Sequence, residues 1–448
     1  MRNRWVRGAV ITALAAAVAV IAAGWSGHQN GVAGTLKTTA SNASIKGTIT
    51  FDGIWTSSSG QKQFQDVING FNKKYPNVKV NYHPIGDSLP TVLATAVAGG
   101  HPPDMADIAQ PGTVAQLAAQ GKLKPITYAT STISKNYVPA WRQLGTFNGK
   151  LYALVFKAAN KSLVWYNVPA FNTAGVKPPT TWTQLLAAAK TIKASGTPAY
   201  SIGGSDGWTL TDLFENIYLR TFGPTKYEAL SAHKIKWTDA SVATALKTMG
   251  QVLGDTANIA GGSSGALQYG FNESVTNAFG TPPKAAMVFE ADFVGGVILS
   301  STKAKAGTGF NVFKFPTTNN GPGANGAEIA GDLFVTFHDT PAIRAFVNYL
   351  ATAPAAEIWA KQGGFGTGNK NVPASIYPDA ITKASEAPIQ TAKSVVFDMS
   401  DEQPPSFGGT AGQGEWGLFQ QFLRNPKDIS GIQKKLEAAA TAAYKKGK

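Results

Sequence analysis

Four aromatic side chains of this sequence stand in or beside segments rich in Gly, Ser or Asp: Trp55, Trp208, Phe293 and Trp416. An aromatic plane packs well against the C–H face of a pyranose ring, whose hydroxyl groups then need polar partners at the ring edge. This combination of residue types predicts carbohydrate binding. For each of these rings the alternative is ordinary packing in a core or a loop. For tryptophans in apolar segments, such as Trp165, such packing is the expected role.

Carboxylates offer a second kind of chemistry. Glycoside hydrolysis needs two carboxyl groups at a suitable separation around the bond that breaks, and Asp212, Glu290, Asp292 and Asp332 are candidates. In a sugar site, however, carboxylates more often accept hydrogen bonds from hydroxyl groups. We therefore expect a binding protein without catalytic residues, and a secreted glycoside hydrolase is the alternative.

Other catalytic and cofactor patterns carry less weight. Ser205 and Ser263 each sit in a G-x-S-x-G pattern, which is the nucleophile elbow of serine hydrolases. That elbow needs an acid and a His downstream in the sequence. The candidates are His233 and His338, and the residues around them form no recognisable catalytic motif. The five histidines are isolated, and no G-x-x-x-x-G-K-[ST] phosphate loop occurs. We expect no metal and no cofactor, so that any nucleotide hydrolysis needs a partner subunit.

The charge of the chain is basic but dispersed. Lys and Arg number 40 against 26 Asp and Glu, which gives +14, and the cations do not form a stripe with interleaved aromatic residues. A nucleic-acid ligand is therefore not expected. The sequence has no Cys, which excludes disulfides, thiol catalysis and Cys-ligated metal. Only 15% of the residues are charged, a composition that an acidic habitat would also favour.

The N-terminus has the layout of a secretory signal. Three arginines precede an apolar run over residues 9–24, and small polar residues follow. We expect a signal sequence over residues 1–24 and a flexible linker over 25–45, with cleavage after residue 43 as a second possibility. Gly24 stands where a lipoprotein signal requires Cys, so the expected product is exported to the periplasm or the outer face of the membrane without a lipid. An uncleaved anchor helix is the alternative.

Strand and helix patterns alternate from about residue 46. Period-two apolar residues predict three early strands, and apolar residues spaced by three and four predict the helices between them. Such alternation is typical of a parallel sheet covered by helices, and 448 residues suit two lobes. The predicted strands are 48–54, 78–82 and 105–109; the predicted helices are 61–73 and 89–96, those beginning at Thr181 and Pro341, and 432–444; the predicted glycine-rich loops are 203–207, 261–265, 321–326 and 408–414.

Two longer segments, residues 149–192 and 346–372, match a known family. Shorter matching stretches include Pro103-Asp104, residues 161–167 and residues 284–290. By the order and spacing of these segments, the chain from about residue 46 onward resembles the family 1 extracellular solute-binding proteins of ABC sugar importers. It is most similar to the alpha-glucoside-binding branch.

This resemblance implies an α/β fold of the periplasmic-binding-protein type, type II-like, with two lobes, a hinge and a ligand cleft between the lobes. Lobe 1 is expected to comprise residues 46–156 and 329–372, and lobe 2 residues 157–328 and 373–448. The chain would cross between them near 156–160, near 329–331 and after about 372. Closure on a ligand would create the shape that a membrane permease recognises.

The resemblance also implies a set of ligand-binding positions. Phe293 falls where many relatives carry an aromatic platform that is frequently Trp, so its smaller ring would weaken stacking or change the ligand. The implied ligand is an α-linked di- or oligosaccharide, delivered to the transmembrane subunits of an ABC permease. The expected binding residues are Trp55, Gln110, Lys157, Asp206, Trp208, Asp212, Glu290, Phe293, Asp332 and Trp416.

Overall fold

The computed structural model describes residues 42–56, 60–318, 321–391 and 395–446. The predicted signal over residues 1–24 lies outside the described residues, as does most of the predicted linker. Within the described ranges, no helix combines the length and the apolar character needed to cross a bilayer.

Strands form a six-stranded sheet, a three-stranded sheet and one two-stranded hairpin. The large sheet contains β1, β2, β3, β6, β10 and β11, the small sheet contains β7, β8 and β9, and the hairpin joins β4 to β5. In chain order the strands are β1 Gly47–Gly53, β2 Val78–Pro84, β3 Met105–Ile108, β4 Thr146–Phe147, β5 Lys150–Leu151, β6 Ala153–Asn160, β7 Leu163–Asn167, β8 Met287–Phe289, β9 Phe310–Lys314, β10 Ala327–Thr336 and β11 Val395–Phe397.

The large sheet is mixed, so the prediction of a parallel sheet is only partly right. Strand β1 pairs in parallel with β2 and β3, as the helical crossovers between them require. Strand β10 runs antiparallel to both β3 and β6. The reason is that β6 leads out of this sheet toward the small sheet, and β10 brings the chain back in the opposite direction.

In the described part of the chain, α-helices pack against both sheets and are most numerous around the small sheet. Four short 3-10 turns accompany them, at residues 86–88, 127–129, 256–258 and 374–376. In chain order the α-helices are α1 Gln61–Lys74, α2 Leu89–Ala98, α3 Pro111–Ala119, α4 Thr130–Asn136, α5 Pro139–Leu144, α6 Val168–Ala174, α7 Trp182–Ala194, α8 Trp208–Phe222, α9 Pro224–Ser231, α10 Ala240–Leu253, α11 Gly262–Ala266, α12 Phe271–Phe279, α13 Val294–Ser301, α14 Pro341–Leu350, α15 Ala353–Ala360, α16 Ala380–Thr391, α17 Met399–Glu402, α18 Pro405–Gly408, α19 Gly414–Arg424 and α20 Ile429–Lys446.

Local sequence explains the helices that were predicted. In α1 the apolar residues spaced by three and four are buried on one side of the helix. Helix α7 begins at a capping box in which Thr181 and Gln184 satisfy each other's backbone amides. Helix α14 begins where the Thr340 hydroxyl accepts a hydrogen bond from the Ile343 amide. These starts agree with the predicted positions.

One predicted loop is helical. Residues 262–266 form α11, a single short turn, although Gly261, Gly262 and Gly265 favour irregular backbone. Gly261 adopts φ 70°, a left-handed conformation that glycine enters without steric cost, and its carbonyl accepts a hydrogen bond from the Gly265 amide. The glycines therefore allow a tight entry into the turn rather than preventing it.

Two large hydrophobic cores lie apart from each other. The first packs under the large sheet and includes Phe51, Phe64 and Phe334. The second includes Phe214 and Trp237 and lies on one face of the small sheet. Strand β7 separates this second core from a smaller cluster on its opposite face, because successive side chains of a strand point to opposite sides. The described residues thus form two lobes.

Helix α8 ties together the segments that pass between the lobes. The Asn216 amide group donates to the Lys161 and Asp212 carbonyls and to Glu328, at 2.9–3.1 Å, and its oxygen accepts from the Ser162 hydroxyl at 2.6 Å. Lys161 and Ser162 join β6 to β7, and Glu328 is the second residue of β10. One buried amide side chain therefore holds two crossings against the same helix.

We expect Asn216→Ala to lower the free energy of unfolding by about 2–3 kcal/mol, because several buried polar groups would lose their partners. Urea unfolding followed by tryptophan fluorescence measures this change. The control is Asn69→Ala, on the exposed face of α1, where a change within about 0.5 kcal/mol is expected. Equal effects of the two substitutions would contradict this role for Asn216.

Candidate functional site

A cavity of about 180 Å³ lies between the two lobes. It is bounded by the residues that follow β1 and β3, by the middle of β6 and β10, and by the beginnings of α8 and α13. Its lining combines large aromatic faces with polar groups of both charges. The aromatic lining residues are Trp55, Trp208, Phe271, Phe293, Trp359 and Trp416; the charged and amide ones are Gln63, Asp87, Asp107, Gln110, Lys157, Lys161, Asn272, Asp332 and Asp401.

Aromatic groups form walls on opposite sides of the cavity. On the second lobe, Trp208, Phe271 and Phe293 pack against one another with ring centroids 5.2–6.1 Å apart. On the first lobe, Trp55 and Trp359 meet edge to face at 4.7 Å. Trp208 and Phe293 are only half-buried. These two rings therefore retain a face that a ligand in the cavity can contact.

Trp416 closes another side of the cavity. It lies in α19 and is 3% exposed, and its indole N–H has no hydrogen-bond partner among the described residues. Its position depends on Gly207, just before α8, where a Cβ atom would lie 2.7 Å from the Trp416 Cβ. Gly207 also has φ +86°, so glycine suits this site both by backbone conformation and by the close approach.

Charged side chains meet at the floor of the cavity. The Lys157 Nζ atom lies 3.7 Å from Asp332 Oδ2 and 4.8 Å from the centre of the Phe293 ring. The register of β6 against β10 shifts between Asp332 and Leu333, and such a bulge redirects side chains at functional sites. Burial raises the pKa of Asp332 while Lys157 opposes that shift. Lys157, on a strand of the large sheet, thus pairs with Asp332 and contacts a ring that packs beside the small sheet.

Seven of the ten predicted binding residues line this one cavity. Trp55 follows β1, and Gln110 precedes α3; the others come from α8, α13, α19 and the crossing strands. Their contact with a ligand remains a prediction. The seven are Trp55, Gln110, Lys157, Trp208, Phe293, Asp332 and Trp416.

Asp206 lies behind the cavity wall and not in its lining. Its carboxylate accepts hydrogen bonds from the Phe271 amide at 2.6 Å and from the Ser205 hydroxyl at 3.0 Å. Phe271 and Asn272 begin α12 and do line the cavity. The structure therefore places Asp206 where it holds a wall segment in position, one step removed from a ligand.

Asp212 and Glu290 also lie outside the cavity lining, in a buried acidic cluster. The Asp212 carboxylate contacts Lys161 Nζ at 3.0–3.1 Å, and Lys161 is also paired with Asp398. Glu290 is 2% exposed and accepts a hydrogen bond from the Ala291 amide. Carboxylate oxygens of Asp212, Glu328 and Asp398 lie within 4.8 Å of one another. The Lys161 ammonium group forms ion pairs with two of these residues, Asp212 and Asp398, and so offsets part of their negative charge.

Several lining residues were not predicted. Lys161 lies in the segment 161–167 that carries the family resemblance but is not among the expected binding residues, and Trp359 stands in the apolar segment 353–360, where ordinary packing is the first expectation. Asp87 and Asp401 stand in short or irregular segments, and Asp107 lies inside the predicted strand 105–109, where no binding residue is expected. The position of Asp107 at the end of β3, next to the predicted loop residue Gln110, was the one available signal, since loops at strand ends face the cleft.

The predicted carboxylates do not assemble a hydrolytic pair in the cavity. Asp292 is fully buried and accepts a hydrogen bond from the Asn160 amide at 2.6 Å, and neither it nor Glu290 lines the cavity. Ser205, one of the elbow candidates, is exposed, and its hydroxyl donates to Asp206. These side chains therefore stabilise local structure.

Two lobes joined by several chain crossings, with an aromatic and polar cavity between them, define a two-lobed ligand-binding protein. The family of bacterial extracellular solute-binding proteins matches residues 55–357. The chain belongs to this family. The family, the two-lobed α/β fold and the binding-protein class predicted from the sequence are thereby confirmed, and nothing among the similar proteins supports the glycoside hydrolase alternative.

Relatives of known name span most of the chain. An osmoprotective compounds-binding protein of Synechocystis sp., GgtB, is 30% identical over 78% of this chain and 83% of its own length. An alpha-glucosides-binding periplasmic protein of Rhizobium meliloti, AglE, is 33% identical over 75% of this chain and 76% of its own length.

Solved structures show the same fold at lower identity. A bacterial solute receptor, AcbH, described as preferring β-D-galactopyranose, has a TM-score of 0.78 at 22% identity and covers 90% of this chain and 100% of its own. The raffinose complex of the solute-binding protein RafE has a TM-score of 0.72 at 18% identity, covering 89% and 100%. At such identities the similarity concerns the fold alone.

The buried acids around Lys161 give the protein a defined pH dependence. Burial raises the pKa of Asp212 to about 7 and raises the pKa values of Glu215, Glu290 and Glu328 well above the usual range. In an unfolded chain such groups titrate near pH ~4. The folded protein therefore binds more protons between pH ~4 and ~7, and the free energy of unfolding falls as pH rises through this window.

The contribution of Asp398 to the pH dependence of stability has the opposite sign. Although burial opposes its ionisation, Lys161 and local donors hold its pKa below the usual value, so its contribution is lost as pH falls below the unfolded value. We expect the thermal midpoint to be higher at pH 5 than at pH 8, as measured by differential scanning fluorimetry at constant ionic strength. Glu328→Gln should reduce this difference. A higher midpoint at pH 8 would contradict the prediction.

Proposed function

We propose that this chain captures a carbohydrate between its two lobes and delivers it to the permease of an ABC importer. The observation that carries the proposal is the interlobe cavity, which presents aromatic faces from both lobes together with polar groups that lack partners among the described residues. Aromatic faces suit the C–H faces of sugar rings, and the polar groups suit their hydroxyls.

The proposed ligand class is an α-linked di- or oligosaccharide. AglE is named for binding alpha-glucosides, GgtB for osmoprotective compounds, and RafE was solved with raffinose. The separated aromatic walls of the cavity support a ligand with more than one ring face, because each wall can stack on a different ring.

The proposed mechanism is a shift between open and closed arrangements of the lobes. Lobe 1 would comprise residues 46–156 and 329–372, and lobe 2 residues 157–328 and 373–448. Lys157 lies at the boundary between these ranges, on strand β6 of the large sheet, and its Nζ atom lies 4.8 Å from the centre of the Phe293 ring, which packs with the cluster beside the small sheet. A ligand beside this pair would therefore contact the regions of both sheets. A ligand that contacts both lobes stabilises the closed form in proportion to its better contacts there.

The protein would act outside the cytoplasm and without chemical turnover. The arginine-led apolar run over residues 9–24 supports export, and Gly24 in place of Cys supports a protein without a lipid anchor. Contact with the membrane would then be through the permease, or through the N-terminal segment if it stays uncleaved.

A thermal-shift screen of the chain from residue 44 onward tests the proposal. Maltose, trehalose, sucrose, longer α-glucans, monosaccharides and polyols are each added, and every hit is checked for hydrolysis. A ligand at about 100 times its Kd raises the unfolding free energy by roughly 2.7 kcal/mol. Stabilisation by an intact α-linked sugar is expected. Product formation would support the hydrolase, and no shift with any sugar would overturn the proposed ligand class.

Trp208→Ala should weaken binding of the identified sugar by about 1–3 kcal/mol, since a stacked aromatic anchor would be lost. Isothermal titration calorimetry measures this change. Phe222→Ala is the matched control, because Phe222 is a half-buried ring at the other end of α8 and does not line the cavity. If both variants bind like the wild type, Trp208 does not stack on the ligand.

A further inference from the structure

Asp107 is a buried carboxyl group that the protein itself satisfies only weakly. It lies in β3 and its residue is 0% exposed; the Ile54 amide, just after β1, is a backbone donor near it, but neither carboxyl oxygen makes a hydrogen bond of ordinary geometry within the described residues. A buried carboxylate without partners is costly. In a native protein such a group calls for an explanation, such as a functional role or a bound water or ion.

The nearest positive charge is already engaged. Lys157 pairs with Asp332 at 3.7 Å and lies over the Phe293 ring. Burial raises the pKa of Asp107 well above its usual range, the neighbouring Asp332 raises it further, and Lys157 opposes this shift. Asp107 therefore lies beside an ion pair without being the partner of that lysine.

Asp107 belongs to the cavity lining, although its carboxyl oxygens are not exposed to solvent in this arrangement of the lobes. The Trp416 indole N–H and the Thr113 hydroxyl, both also in the lining, are without hydrogen-bond partners in the part of the chain that the structure describes. Three unpaired polar groups therefore border the same space. A bound molecule that satisfies them must carry both donors and acceptors.

We propose that Asp107 is a specificity-determining residue that anchors hydroxyl groups of the ligand at the floor of the cavity. This inference rests on the proposed carbohydrate-binding function. A carboxyl group offers two adjacent oxygens, which suit two hydroxyl groups on neighbouring carbons of a sugar ring. A ligand without one of these hydroxyls leaves Asp107 buried and unpaired, and sites of this kind reject such analogues strongly.

The experiment combines ligand and protein changes in a cycle. Calorimetry compares maltose and trehalose with the monodeoxy derivatives of their non-reducing glucose ring, for the wild type, Asp107→Asn and Asp107→Leu. The matched control is Asp52→Asn, because Asp52 is buried on the neighbouring β1 but pairs with His83 outside the cavity lining.

The wild type should bind at least one monodeoxy sugar about 100-fold more weakly than its parent. In Asp107→Leu the parent sugar should bind at least about tenfold more weakly than to the wild type, and the difference between that pair of sugars should fall to within about threefold. The melting temperature of the ligand-free variant should equal or exceed that of the wild type, because an unsatisfied buried group is removed. Asp52→Asn should preserve the full discrimination.

The inference is overturned if Asp107→Asn and Asp107→Leu bind the parent sugars within about twofold of the wild type, or if the variants discriminate between deoxy and parent sugars as the wild type does. A large loss of melting temperature in both variants would also overturn it, since Asp107 would then be structural. Failure of the wild type to bind either parent sugar would instead count against the proposed ligand class and remove the basis of this inference.

Discussion

The rest of the structure depends on the buried ion pairs that the Lys161 ammonium group makes with Asp212 and Asp398. Lys161 follows β6 at the first crossing between the lobes, Asp212 lies on α8 of the second lobe, and Asp398 follows β11, where the chain crosses again. A buried charge that loses its partners is strongly destabilising, so these three segments must stay together. Lys161 Nζ also lies 5.4 Å from the centre of the Trp208 ring, which places an aromatic wall of the cavity against the same group.

Around this one lysine the interior holds an excess of acids. Because burial opposes ionisation, most of these groups favour the protonated form, and protonated carboxyls can donate as well as accept hydrogen bonds. The excess of acids lies inside a chain of net charge +14. The raised pKa values of these acids predict greater stability at acidic pH than at alkaline pH. The buried acids near the crossings are Asp212, Glu215, Glu290, Glu328, Asp398, Asp401 and Glu415.

Sequence reasoning identified the elements whose boundaries depend only on residues close together in the chain. The apolar spacing in α1, the capping box of α7 and the Thr340 cap of α14 each identify an element without reference to distant residues. It could not orient α8, which is buried on nearly all sides. With no polar face to mark the solvent side, the direction of Asp212 follows from packing alone, and this carboxylate contacts Lys161 and does not line the cavity.

The amino-acid sequence by itself determined the family, the two-lobed α/β class and the aromatic character of the site, because periodicity, caps and motif order are properties of neighbouring residues. The tertiary structure decided which polar groups meet. Asp107, Lys157 and Asp332 come from three strands far apart in the chain, and only their pairing in one sheet leaves Lys157 with Asp332 and Asp107 without a salt bridge. Whether the partners of a charged group offset the cost of burying it depends on residues that meet only in the folded interior. No pattern of neighbouring residues predicts this.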